Sequence, residues 1–212
     1  VTVGLSQAAT VYIGDRTDLA NLSLDLFEAD GATLTYIFAG PNDYYENTSG
    51  GLEQVTVSNI HIHALGTGNL TPFFATYSGS DHTDDQIQLA SNYEFVDIGS
   101  PIAVTGPDGL KSLEYSSTFT LEAGDKLVAG FYTDSGIVAY SRGADVDPTY
   151  LANDNQIDTV GSNPLVDAEF SASNRNRAYA VAFETGISAI PEASSTALLG
   201  LGGLALIMRR RK

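Results

Sequence analysis

The sequence predicts an all-β fold, an antiparallel β-sandwich of jelly-roll or Greek-key type followed by a short C-terminal transmembrane helix, and three observations predict it. From Thr10 to Phe183 apolar and polar residues alternate with a period of two, the pattern of strands that bury one face. Clusters of Gly, Asn, Asp and Ser cut this alternation into short runs, as turns between strands do. No amphipathic helical period appears before residue 190, and the one long uncharged apolar run, Ser194 to Met208, follows it. Many short strands with polar loops and no internal repeat exclude a propeller or solenoid and leave a two-layer β fold.

Taken in order, Val1 to Ala9 reads as the end of a signal peptide, with small residues at Ser6 and Ala8 that place cleavage after Ala8 or Ala9; a first strand over the same residues is the other reading. The sandwich then occupies residues 10–185. Leu22, Leu24 and Leu26 alternate with Ser23 and Asp25, and Thr33 to Ala39 is the next strand. Residues 40–51 are so rich in turn formers that a loop without a ladder is expected. From Val55 to His63 the apolar set moves from odd to even positions at Asn59, which predicts a β-bulge there and turns His61 and His63 to solvent. Further strands are expected at Pro72 to Tyr77, Tyr93 to Ile98, Leu113 to Leu121, Leu127 to Tyr132, Ile137 to Tyr140 and Ala178 to Phe183. Thr133 to Gly136 has the residues of a tight hairpin turn, and a short helical turn fits Pro148 to Ala152. Ser117 to Ala129, with a Gly124-Asp125 corner, resembles a strand-turn-strand of many extracellular jelly rolls, carbohydrate-binding modules among them. Residues 186–190 suit a flexible linker, and residues 191–212 form a separate tail.

Charge narrows the function. Residues 1–190 hold 6 basic against 25 acidic residues, a formal charge of −19, which repels nucleic acid and favours solubility and divalent cations. The chain has no cysteine, so the fold rests on packing, and a cysteine nucleophile and thiolate metal sites are excluded.

The tail shows where the protein goes. Pro191-Glu192-Ala193 precedes the apolar run, which as a helix reaches roughly 22 Å, short of the roughly 30 Å hydrocarbon core. Arg209, Arg210, Arg211 and Lys212 end the chain, and such a cluster stays on the cytoplasmic side, leaving everything before Pro191 outside. These parts resemble the PEP-CTERM sorting signal of Gram-negative bacteria that produce extracellular polysaccharide, with Ala193 standing where that motif has a second proline. The resemblance implies export, a transient stay in the inner membrane, processing by an exosortase-type enzyme and placement at the cell surface. It covers about the last tenth of the chain.

For chemistry, Asp145, Asp147, Asn153, Asp154, Asn155 and Asp158 gather hard oxygen donors of the kind calcium takes, without the spacing of an EF-hand; a solvated turn is the plainer reading of the same loop. The run Asp81 to Asp85 is similar, and His61, His63 and His82 offer a weaker transition-metal set. Tyr44 and Tyr45, in a Gly/Asn-rich loop, are the aromatics placed to stack on sugars, or else to fold back over the sandwich edge. Glu94, Glu114, Glu122 and Glu169 are the carboxylates a glycoside hydrolase would need, with no motif joining any two. Serine-nucleophile, phosphate-loop and zinc-protease motifs are absent. The expectation is a non-enzymatic surface or matrix protein with a structural or adhesive role in extracellular polysaccharide; a lectin-like module, with calcium or without, and a glycoside hydrolase are the alternatives.

Overall fold

The computed structural model describes residues 9–14, 28–29, 34–38, 44–81, 86, 89–142, 156–157, 172–173 and 177–190. Fifteen strands are assigned among them: β1 (Ala9–Ile13), β2 (Glu28–Ala29), β3 (Leu34–Phe38), β4 (Tyr45–Glu46), β5 (Glu53–Ala64), β6 (Gly68–Tyr77), β7 (Tyr93–Ile98), β8 (Ile102–Val104), β9 (Gly109–Leu121), β10 (Lys126–Thr133), β11 (Ala139–Arg142), β12 (Gln156–Ile157), β13 (Ala172–Ser173), β14 (Arg177–Tyr179) and β15 (Val181–Ala189). The fold is all-β and its sheets are antiparallel. One sheet has the order β1-β15-β5-β9 and the other β3-β10-β6-β7, with β4 beside β10 and β8 beside β6. Two smaller sheets, β14-β11-β2 and β12-β13, complete the pairing. Among the described residues no helix is long and apolar enough to cross a membrane; the predicted tail, residues 191–212, lies outside them.

Pairing in the two main sheets is nested. The first strand β1 pairs with the last, β15; inside that pair β3 meets β10, β5 meets β9 and β6 meets β7. Two further ladders, β15 with β5 and β10 with β6, join these pairs into sheets. Their inner faces share one core: Val55, Val57, Ile60, Ile62 and Phe183 come from the first sheet, and Leu70, Phe74, Leu127 and Phe131 from the second. Phe183 meets Phe74 edge to face at 5.3 Å and Phe38 at 6.2 Å, so ring contacts bridge the sheets.

The sheets differ on their outer faces. The first is wet on one side, so β9 keeps strict alternation, with Leu113 and Leu121 buried and Ser112, Glu114, Ser116, Thr118 and Thr120 exposed. The second is covered on both sides. Ile37, Phe73, Ala75, Tyr77, Tyr93 and Val128 form a cluster of their own, which is why β6 and β10 read as nearly continuous apolar runs.

Several expectations are met. The odd-to-even change in β5 is a bulge: both neighbouring ladders skip Ser58, Val57 and Asn59 being the paired residues on either side. Others are corrected. Tyr45 and Glu46, expected in a loop without a ladder, pair with Leu127 and Lys126. Thr133 to Gly136 is no hairpin, because β10 and β11 belong to different sheets; Asp134 turns back instead, its carboxylate accepting the Asn69 backbone N–H at 2.8 Å and the Asn69 side-chain N–H at 2.6 Å. The strands around Gly124, at φ +89°, likewise lie in different sheets, so that corner carries the chain between layers. Residues 186–190, expected to be a linker, continue β15: Ser188 and Ala189 pair with Gln54 and Glu53, and the Ile190 N–H donates to the Leu52 carbonyl. The expected strand at Leu22 to Leu26 and the helical turn at Pro148 to Ala152 lie outside the described residues.

Candidate functional site

The bulge shapes the outer face of the first sheet, which stays polar and open among the described residues. By placing Ser58 and Asn59 both outward, it shifts the phase of β5 and brings His61 to the outer face beside Glu184. A row of paired residues crosses all four strands there: Tyr12 on β1, Glu184 on β15, Asn59 on β5 and Glu114 on β9. At the usual spacing of neighbouring strands this row is roughly 14 Å long.

Glu184 ties the row together. Its Oε2 lies 2.8 Å from His61 Nε2, with the two side chains 27% and 30% exposed respectively. The Asn59 amide donates to the same oxygen at 3.4 Å, and the Ser58 hydroxyl to the Glu184 backbone carbonyl at 3.4 Å. The His61 contact holds the Glu184 carboxyl below its ordinary value; burial opposes it to a lesser degree, and Asn59 adds a smaller pull in the same direction as His61. Tyr12 stands next to this pair, 49% exposed, its ring 6.2 Å from the imidazole and tilted 54° to it. An exposed ring beside a fixed set of donors and acceptors is binding chemistry: the ring offers an apolar face and the polar groups offer direction.

His63 departs from expectation. It follows His61 on the same strand but is buried, and burial pushes its imidazole pKa below the ordinary value, with Asp108 pulling the other way. The two histidines therefore do not share a solvent face as a chelating pair, and His82 lies outside the described residues. Among the described residues no group of three or more His, Asp or Glu side chains is arranged to hold a metal.

Tyr44 and Tyr45 are not open platforms. Tyr45 packs against the main core and donates its hydroxyl to Glu53 Oε2 at 2.7 Å; burial, then this bond to a carboxylate, pushes its pKa up to about 12. Tyr44 packs against the second cluster, with Lys126 Nζ 5.7 Å from its ring centre. Glu94, Glu114 and Glu122 are exposed on β7, on β9 and just after β9, while Glu169 lies outside the described residues. So do Asp145, Asp147, Asn153, Asp154, Asn155 and Asp158, together with Pro191, Glu192, Ala193, Arg209, Arg210 and Arg211. Sequence reasoning missed Tyr12, Asn59 and Glu184; alternation turns each outward, but only the ladder shows that they meet.

In the sequence, the residues of β15 are followed by an apolar run that ends in cations, the layout of a protein sorted through its C-terminus. The tail is matched over residues 189–212 by the family model of the PEP-CTERM protein-sorting motif, as the resemblance implied. That motif implies export, sorting through the C-terminus and processing by an exosortase-type enzyme. No curated protein matches the chain. Among solved structures, the chain is similar to the clostridial cysteine protease Cwp84 after propeptide cleavage, at 10% identity and a TM-score of 0.42, over 84% of this chain and 40% of that one. It is also similar to the cysteine protease and lectin-like domains of Cwp84, a surface layer associated protein of Clostridium difficile, at 8% identity and a TM-score of 0.40, over 76% of this chain and 33% of that one. The chain thus spans well under half of either.

Proposed function

We propose that this chain is a non-enzymatic surface protein whose jelly-roll sandwich is exported, held briefly in the inner membrane by its tail, and released to a structural or adhesive role in the extracellular polysaccharide matrix. The observation that carries the reading is the sorting motif joined directly to the last strand. The nested pairing of first with last strand and of each pair inside it supports the jelly-roll assignment, since a long hairpin rolled on itself produces that order. Intact mass of the surface fraction tests the proposal. The expected species ends at or near Pro191-Glu192-Ala193; a mature surface protein that still carries Arg209 to Lys212 sinks the idea.

Glycan binding is a second reading, favoured by the exposed Tyr12 ring beside the His61–Glu184 pair. Tyr12→Ala should weaken binding to a neutral polysaccharide by roughly 3- to 10-fold, the worth of one aromatic contact, while Tyr44→Ala leaves it unchanged. Because the Glu184 carboxyl is held low, binding that uses the carboxylate should persist at mildly acid pH and fade only as pH falls through that lowered value. Equal binding by wild-type protein and Tyr12→Ala removes this face from the proposal. The same titration run with and without calcium asks whether the loop containing Asp145, Asp147, Asn153, Asp154, Asn155 and Asp158 holds an ion that binding needs. Glycoside hydrolysis has no support beyond the presence of carboxylates on separate elements.

A further inference from the structure

We infer that the outer face of the first sheet, on the reading of that face as a glycan surface, selects sugars that carry free amines. Glu184 and Glu114, two strands apart, each take an ammonium group of an extended glucosamine chain, and Tyr12 supports a sugar ring beside them.

The two carboxylates belong to one row of paired residues, Tyr12, Glu184, Asn59 and Glu114, with β5 alone between them, so they stand roughly 10 Å apart. Each has oxygen to offer. The His61 and Asn59 contacts both go to Glu184 Oε2, which fixes the carboxylate and leaves Oε1 outside either contact. Glu114 is exposed and makes no hydrogen bond or ion pair among the described residues. The exposed Tyr12 ring, next to Glu184 in the row, offers its face both to the apolar side of a sugar and to a cation.

Charge decides which sugars fit. Among the described residues no Lys or Arg stands on this face: Lys111 of β9 pairs with Ile62, a core residue, and its Nζ donates to the Pro107 carbonyl at 2.8 Å. With a formal charge of −19 over residues 1–190, a polymer of uronic acids is repelled and a polymer of amines is drawn in. Spacing narrows the class further. An extended chain of the chitin type laid across the strands advances by about one strand spacing per sugar, and successive sugars turn over. Amines on one edge of such a chain recur at every second sugar, the interval that separates Glu184 from Glu114.

A cationic peptide fits less well. Peptides add to sheets through main-chain donors and acceptors at a strand edge, and here β15 and β5 carry ladders on both sides. What the face presents is side-chain chemistry. The neighbouring row, Thr10, Gly186, Thr56 and Thr118, is small and mostly hydroxyl-bearing, which gives a sugar ring room to lie flat and partners for its hydroxyls.

The test is binding of the full chain to a glucosamine hexamer and to its fully N-acetylated counterpart, the same backbone without the charges, by calorimetry at low salt and neutral pH. The free-amine hexamer should bind about fivefold or more tighter, and added salt should close that gap. Glu184→Gln, which keeps a hydrogen-bonding side chain beside His61, and Glu114→Gln should each weaken the free-amine hexamer about three- to fivefold more than the acetylated one. Tyr12→Ala should weaken both together. Glu94→Gln, on β7 of the other sheet, removes the same charge elsewhere and should change neither. Equal affinity of the wild-type chain for the two hexamers overturns the amine selection and leaves the glycan reading standing. No binding to either hexamer also overturns it, and the glycan reading falls with it only where neutral polysaccharide is not bound either. Glu94→Gln as damaging as Glu184→Gln would make the attraction diffuse and overturn the site. Polylysine held as tightly as the free-amine hexamer, and lost with the same variants, would make this a peptide surface and overturn the sugar.

Discussion

Phe183→Ala will destabilise the domain by about 3–5 kcal/mol, the usual cost of removing a fully buried aromatic side chain. Phe183 sits on β15, which lies between β1 and β5, and is wholly buried. Its ring meets Phe74 of β6 and Phe38 of β3, so one truncation removes two ring contacts that bridge the sheets. Among the strands around it, β15, β5 and β6 carry ladders on both sides and cannot collapse into the gap, which places the cost toward the upper part of that range. Urea unfolding of wild-type and variant protein measures it, as a lower midpoint at unchanged slope. Tyr12→Ala on the same sheet but its open face is the control, with a change within about 0.5 kcal/mol. Similar losses for the two would mean that the sheets do not share a core.

What the sequence revealed depended on how many faces of a strand meet water. In β5 and β9 one face is solvated, so the alternation, and even its phase change at Ser58 and Asn59, stands in the order of residues. In β6 and β10 both faces are covered, and Phe73 and Phe74, adjacent in sequence, enter different clusters. Such strands can be recognised as apolar runs, but no period says which face is which. Partners were less legible than strands. Thr133 to Gly136 has hairpin composition, yet Asp134 is used to hold Asn69, and the chain crosses to another sheet.

The same limit applies to the candidate face. Tyr12 and Glu184 lie 172 positions apart and become neighbours only because the first and last strands pair. The rings of Tyr44 and Tyr45, in a loop whose composition suggested exposure, each find apolar surface within reach, and Tyr45 finds an acceptor for its hydroxyl as well. Local composition hid the ladder of Tyr45 and Glu46 and left open where the side chains of Tyr44 and Tyr45 go.

The corner where the two sheets meet gives the second large effect. Asn47 is buried, and its amide nitrogen lies within hydrogen-bond distance of three backbone carbonyls: Gly51 at 2.8 Å, Leu121 at 3.2 Å and Glu122 at 2.9 Å. Its side-chain oxygen accepts the Ser49 backbone N–H at 3.0 Å and the Ser49 hydroxyl at 2.7 Å. Its own backbone bonds Asp125 and Gly124, so this residue joins the end of β9 to the start of β10 and to the loop that leads into β5. Asn47→Ala leaves several of those groups unsatisfied in a confined site and should cost roughly 2–4 kcal/mol in urea unfolding. Asn47→Asp separates two explanations. If the residue mattered only as an acceptor for Ser49, aspartate would do the same work and stability would be kept. Because the amide hydrogens are what the carbonyls need, a carboxylate oxygen turned toward them is repelled, and Asn47→Asp should unfold at least as early as Asn47→Ala at neutral pH. Wild-type stability in Asn47→Asp would show that the carbonyls do not depend on the amide and that the corner is held by its backbone bonds alone.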